Sequence, residues 1–255
     1  NIFSYDEGLV DVGELNGVFH VQKPTKLLLT LNIEGTEARN SYELWVYPKK
    51  ALEKKGVIIA RDLSQEVVKV LEKGGKVLWM PDSLPYTVGG LFQTDYWNYR
   101  MFKTICENNK KTVSPGTLGI LTNPEHPIFK GFPTEMHTNW QWFPVIKESH
   151  PLVLDNFAKD YRPIVQVIDN IERNHKLGLV MEWKVGAGKL LVCMSDLEKA
   201  AKYPEGKAFY QSVIDYMRSA DFNPSAEITV DELKKKLAEK PRQVSLKELN
   251  NISQY

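Results

Sequence analysis

The segment His137–Phe143, HTNWQWF, packs two tryptophans, a phenylalanine, an Asn, a Gln and a His into seven residues. Such a set suits carbohydrate: indole rings stack on the apolar faces of sugars, while Asn139, Gln141 and His137 reach hydroxyls. Trp140 and Trp142 are two apart, so on an extended backbone they share a face. The same spacing suits one side of a buried core, because each ring carries a large hydrophobic area. Both readings stay open. The stretch TDYWNYRMF, Thr94–Phe102, carries Trp97 and the same ambiguity. The candidate carbohydrate contacts are therefore His137, Asn139, Trp140, Gln141, Trp142 and Trp97.

Other chemistry is poorly provided for. No Gly-x-Ser-x-Gly or Gly-x-Cys-x-Gly elbow occurs. Cys193 lies inside the apolar run LLVCMSD and Cys106 on an apolar helical stripe, both places for a small buried hydrophobe. VGAGK, Val185–Lys189, contains a fragment of a phosphate loop, but Leu190 follows the lysine and strands flank both sides. Gly186 and Gly188 are expected to supply the positive φ angles of a hairpin turn. The histidines His20, His126, His137, His150 and His175 show no metal-ligand spacing. Glu135, Asp155, Asp169, Glu182 and Asp196 stand near strand ends or loops, where α/β sheets keep catalytic groups. Glycoside cleavage needs two such carboxylates across the bond, yet nothing in the sequence selects a pair. No catalytic residue, metal or cofactor is therefore expected. The alternative is a stand-alone α/β hydrolase or transferase drawing its acid and base from Asp82, His137, Asp169 or Asp196.

The elements that would position these residues fall into three stretches. Up to about residue 50 the apolar period is two: Leu27, Leu29, Leu31 and Ile33 share one face, and Tyr42, Leu44 and Val46 another. This predicts antiparallel strands with one face buried, either the end of a β-sandwich or a small added sheet. Over 51–223 the pattern changes to strand, helix, strand. GVIIARDL precedes the helix SQEVVKVLEK, capped by Ser64 and ended by Gly74-Gly75, and KVLWMPD follows. That is a βαβ unit of a parallel sheet covered on both faces. DYWNYRMFKTICENN reads as a second helix, with Tyr96, Tyr99, Phe102 and Cys106 on one stripe. TLGIL, PLVLD, PIVQVID, LGLVMEW and GKLLVCMSD add strands. EGKAFYQSVIDYMRSADF closes the unit with Phe209, Val213, Tyr216 and Met217 on one helical face. The fold class expected is α/β, a three-layer and mostly parallel sheet preceded by a small antiparallel β segment. The tail, 224–255, carries capping boxes at Thr229/Glu232 and Ser245/Glu248, predicting two short helices that lie on the surface or dock on a neighbour.

Composition sets the outer limits. The 255 residues hold 33 Lys+Arg against 32 Asp+Glu, a net charge of +1, so no electrostatic case exists for nucleic acid or anionic lipid. No apolar run approaches a membrane span. Two cysteines in unrelated contexts argue against a disulfide framework. The first residue is Asn1, and strand-like material begins at once, which predicts a piece of a larger protein.

Several phrases occur together and in order: NSYELWVYP, GGKVLWMPD, FQTDYWNYRMF, GTLGILTNPEHPIFKGFPTEMHTNWQWF, PIVQVIDN, HKLGLVMEWKVGAGKLLVCMSDL and FYQSVIDYMRS. Over about residues 25–222 the chain resembles the C-terminal region of family 2 glycoside hydrolases, β-galactosidase-like enzymes of the Bacteroidetes type. HPIFKGFPTE…NWQW is the most specific element. The catalytic barrel of such enzymes has no counterpart here. What the resemblance implies for 51–223 is a class I glutamine-amidotransferase-like or flavodoxin-like domain without the nucleophilic cysteine elbow. It implies a non-catalytic accessory domain serving domain packing, oligomerisation or sugar contact, in the periplasm or outside the cell. The partners implied are the remainder of the parent hydrolase chain, an oligosaccharide and further copies of the chain. A carbohydrate-binding module built on Trp140 and Trp142 is the narrower alternative.

Overall fold

The computed structural model describes residues 13–91, 99–171 and 173–241. It contains a two-stranded antiparallel ribbon and a seven-stranded mixed sheet carrying helices.

The ribbon pairs β1 (Thr25–Asn32) with β2 (Arg39–Val46), placing Leu27 opposite Leu44 and Leu29 opposite Tyr42. The alternation therefore forms strands, but the expected burial of one face does not follow. Leu29, Leu31 and Tyr42 on that face are exposed, as is Leu28 on the other. Two strands have no second layer of their own to cover a leucine face.

The large sheet has the order β3-β4-β9-β8-β7-β5, with β6 (Leu152–Val153) also on β8. β3 (Ile58–Ala60), β4 (Lys76–Trp79) and β9 (Gly188–Cys193) run parallel. The first two are joined through α1 (Gln65–Glu72), where Ser64 accepts from the Val67 amide and Gly74 turns the chain at φ +85°. Beyond β9 the named strands all pair antiparallel: β8 (Lys176–Val185), β7 (Val165–Ile168), β5 (Gly119–Thr122) and β6, while a single parallel bridge joins Lys184 to Glu227. The sheet is thus mixed rather than mostly parallel. The cause is local, because a two-residue turn at Gly186-Ala187 folds β9 straight back on β8 and leaves no room for a crossover. Gly186 supplies the positive φ, +59°. Gly188 has another task. A Cβ there would lie 2.4 Å from the Leu71 carbonyl oxygen, so its missing side chain lets the end of α1 approach the hairpin.

The core lies between the sheet and α5 (Pro204–Arg218), whose Phe209, Val213, Tyr216 and Met217 are all buried as their spacing predicts. α2 (Tyr99–Asn108) forms where the second helix is expected. Its companion Tyr96 lies outside the described residues, and Cys106 is half-buried rather than buried.

In the tail the helix expected from the Thr229/Glu232 box forms, and the segment before it joins the sheet. Ala226–Ile228 adds to the edge of β8, with the Lys184 amide donating to Ala226 at 2.8 Å and the Ile228 amide to Lys184 at 3.0 Å. α6 (Val230–Ala238) then buries Leu233 and Leu237. The α/β unit therefore continues past residue 223, because 226–238 has an apolar face of its own to cover. The second tail helix, at Ser245–Glu248, lies outside the described residues.

Candidate functional site

The segment HTNWQWF forms a 3-10 turn, Trp140–Trp142, running into α3 (Phe143–Lys147), whose Pro144 has no amide proton to lose at the helix start. Residues two apart in such a turn point to different sides, unlike those of a strand. The two tryptophans accordingly separate: Trp140 is 79% exposed and Trp142 fully buried. Trp142 sits edge-on to Phe129 and Phe132, with ring centroids at 6.0 and 5.1 Å, and 5.0 Å from Phe209 of α5. Its Nε1 donates to Thr134 Oγ1 at 2.8 Å. A two-ring platform of Trp140 and Trp142 is therefore not formed.

The polar members of the segment hold the ribbon. Gln141 is buried; its Nε2 donates to the Pro133 carbonyl at 2.8 Å, and its Oε1 accepts from the Tyr47 hydroxyl at 2.7 Å. The Tyr47 ring stacks on Phe132 at 6.4 Å, nearly parallel. Asn139 Nδ2 donates to Glu135, and Glu135 accepts from Lys26 of β1 at 2.5 Å. Lys26 also pairs with Glu43 across the ribbon at 2.6 Å. Burial raises the Glu135 pKa, but the hydrogen bonds from Lys26 and Asn139 outweigh it and hold the carboxyl below its ordinary range. His137 is exposed, its Nδ1 3.0 Å from the Thr138 carbonyl oxygen. Of the six predicted contacts, then, Gln141 and, through Glu135, Asn139 tie the ribbon end to the α/β unit, and Trp142 is buried in the core. Trp140 and His137 face solvent, and Trp97 lies outside the described residues. Met136 and Phe143 are exposed beside Trp140 in the chain, so the outer side of this joint is apolar.

The strand-end carboxylates separate by partner. Arg61, just beyond β3, bridges Asp82 at 3.2 Å and Asp196 at 3.6 Å. Asp196 also accepts from the Lys199 amide at 3.2 Å as the cap of α4 (Leu197–Ala200). Burial raises its pKa, but these partners hold it below the usual range. Asp169 is gripped by Arg173 at 2.6 Å and accepts from the Asn170 and His175 amides. Asp155 pairs with His175 Nδ1 at 2.7 Å. Each of these has a basic partner, and none meets His137 in a shared cluster. Glu182 alone does not: among the described residues its carboxylate accepts only from the Tyr216 hydroxyl, at 2.7 Å. Sequence spacing could not single it out, because the signal is the partner it lacks. Cys193 is buried and its thiol is pushed up to about 12 by desolvation, so it is no nucleophile. No group of three His, Cys, Asp or Glu able to hold a metal occurs among the described residues.

Residues 58–238 match the family described as a domain of unknown function, DUF8487. The chain belongs to that family. Residues 5–48 match a second domain of unknown function, DUF8488. No curated protein matches the chain. The corner 133–143 thus lies within the DUF8487 match, while its partners Lys26 and Tyr47 lie within the DUF8488 match. Among the described residues no helix is long and apolar enough to cross a membrane.

Proposed function

We propose that this chain is a non-catalytic accessory module that packs against the remainder of a β-galactosidase-like family 2 glycoside hydrolase. In this reading DUF8487 is a divergent glutamine-amidotransferase-like or flavodoxin-like domain. The parallel β3-α1-β4 unit, with β9 beside it, is what supports that relation. The observation that carries the functional reading is the open apolar face of the ribbon, Leu29, Leu31 and Tyr42, together with exposed Met136 and Trp140 at the joint. Exposed apolar surface of this extent is normally covered by a partner. The resemblance supplies the partner's identity and a periplasmic or extracellular setting. It also suggests sugar contact at Trp140, which has the one exposed indole of its segment.

Light scattering and dye binding test the packing role. The wild type is expected to self-associate at high concentration and to bind an apolar dye. Leu29→Ser, Leu31→Ser and Trp140→Ser should reduce both without lowering the melting temperature. A monomer that binds no dye, or cleavage of aryl glycosides by the chain itself, would overturn the reading. Tryptophan fluorescence titrated with galactose-, glucose- and uronic-acid-containing oligosaccharides, with Trp140→Ala alongside, tests the sugar contact.

A further inference from the structure

Glu182 lies at a gap in the edge of β8. Strand β7 pairs with β8 only as far as Val180, opposite Val165, and 226–228 takes up Lys184. Between them the chain entering β7 offers Pro163, which has no amide proton to donate. The Tyr161 hydroxyl fills the place of the missing strand: it accepts from the Glu182 amide at 3.1 Å and donates to the Glu182 carbonyl at 3.2 Å. Its ring lies on Trp183, centroids 5.0 Å apart and nearly parallel, which holds the hydroxyl in that place.

A cleft of about 910 Å³ opens over this gap, within the size range of small-molecule sites. Its charged lining is Asp160, Glu182 and Glu227 against Arg162. Arg162 spends one guanidinium nitrogen on the carbonyls of Lys159 and Tyr161, at 2.9 and 3.3 Å, and Glu227 is held by Lys184 at 2.6 Å. His126 also lines the cleft; desolvation pushes its pKa down, and its Nδ1 accepts from the Ile128 amide at 3.3 Å. The ring is therefore neutral with its proton on Nε2, and brings no positive charge.

A carboxylate can accept about four hydrogen bonds, and among the described residues the half-buried Glu182 receives one, from a neutral phenol, with Lys189 as a more distant positive charge. A carboxylate drawn partly out of water favours a cationic partner to complete its charge. We propose that this cleft binds a small organic cation, an alkylammonium or guanidinium group, with Glu182 as its counter-charge. An anion would meet a net negative lining, and a neutral polyol would leave the carboxylate uncompensated. An ammonium supplies both charge and donors, and charge-assisted bonds are about twice as strong as neutral ones. The site is independent of the ribbon and of Trp140, so it stands or falls apart from the packing role.

Calorimetry at neutral pH, with 1,4-diaminobutane and butylguanidine against 1,4-butanediol as neutral control, tests it. Either cation is expected to bind saturably and to perturb Trp183 fluorescence, while the diol does neither. Glu182→Gln should weaken binding tenfold or more with an unchanged circular dichroism spectrum. Tyr216→Phe, which keeps the carboxylate and removes only its phenol donor, should retain binding. Equal binding of the diol, no saturable binding of either cation, or wild-type affinity in Glu182→Gln would each overturn the proposal.

Discussion

The Tyr47 hydroxyl donates to Gln141 Oε1 at 2.7 Å across 94 positions of sequence, and it ties the end of the ribbon to the corner that buries Trp142. Burial, aided by the charge of Glu205, raises the phenol's pKa, so it remains a proton donor across the working pH range. Tyr47→Phe keeps the stack on Phe132 but leaves a buried amide oxygen without its donor. A loss of about 1–3 kcal/mol in urea unfolding is expected. In a double-mutant cycle with Gln141→Met, coupling above about 0.5 kcal/mol would establish that the two act together.

The second tie, Lys26 to Glu135, has a defined pH window. Glu135 is held below its ordinary 4.5, so the folded state binds that proton less tightly than the unfolded chain. Its contribution is complete above about that value and is lost as pH falls through the depressed folded pKa. Lys26 is raised from 10.5, chiefly by its hydrogen bond to Glu135, so its contribution is complete below 10.5 and lost as pH rises through the raised value. Exposed pairs of this kind are worth about 0.2–1 kcal/mol. Lys26→Met should therefore speed proteolysis of the ribbon modestly at pH 7. At a pH below the folded pKa of Glu135 the variant and wild type should be cut at the same rate.

Trp140 and Trp142 should behave oppositely. Trp142→Ala empties a site surrounded by Phe129, Phe132 and Phe209 and is expected to cost about 3–5 kcal/mol. Trp140→Ala removes an exposed ring and should stay within about 0.5 kcal/mol. Chemical denaturation with an unchanged slope would make the comparison clean.

Thr229 accepts from the Glu232 amide at 3.1 Å and caps the helix that carries buried Leu233 and Leu237. Thr229→Ala should cost about 1 kcal/mol. Hydrogen exchange should localise the loss to 230–238 and the adjoining edge of β8.

That cap was legible in the sequence, as were Ser64 on α1, the apolar face of α5 and the turn at Gly186, because each depends on residues within a few positions. Strand direction was not. An apolar run such as LGLVMEW reads the same in a parallel or an antiparallel sheet, and only the two-residue turn to β9 decides it. The fate of HTNWQWF was equally hidden, since period two on a strand and a 3-10 turn give opposite answers for Trp140 and Trp142. What selected among the carboxylates was the placing of Arg61, Arg173 and His175, contacts that no spacing records.

Glu182 supplies the last test, with the opposite sign to Glu135. Burial raises its pKa above the ordinary 4.5, and Tyr216 and the more distant Lys189 offset only part of that. The other groups around it are Tyr161, Asp160 and Arg162 before β7, neutral His126, and the Glu227–Lys184 pair at the tail. The folded state here binds the proton more tightly than the unfolded chain. Stability associated with Glu182 is thus fully present below about pH 4.5 and is lost as pH rises through the raised folded value. Every tenfold change in proton affinity amounts to about 1.4 kcal/mol. Glu182→Gln, which can still accept from Tyr216, should raise the melting temperature at pH 7 and leave it unchanged at pH 4 and below. A melting temperature that falls at pH 7 would mean that the carboxylate has a cationic partner within the fold, and that its burial is already compensated.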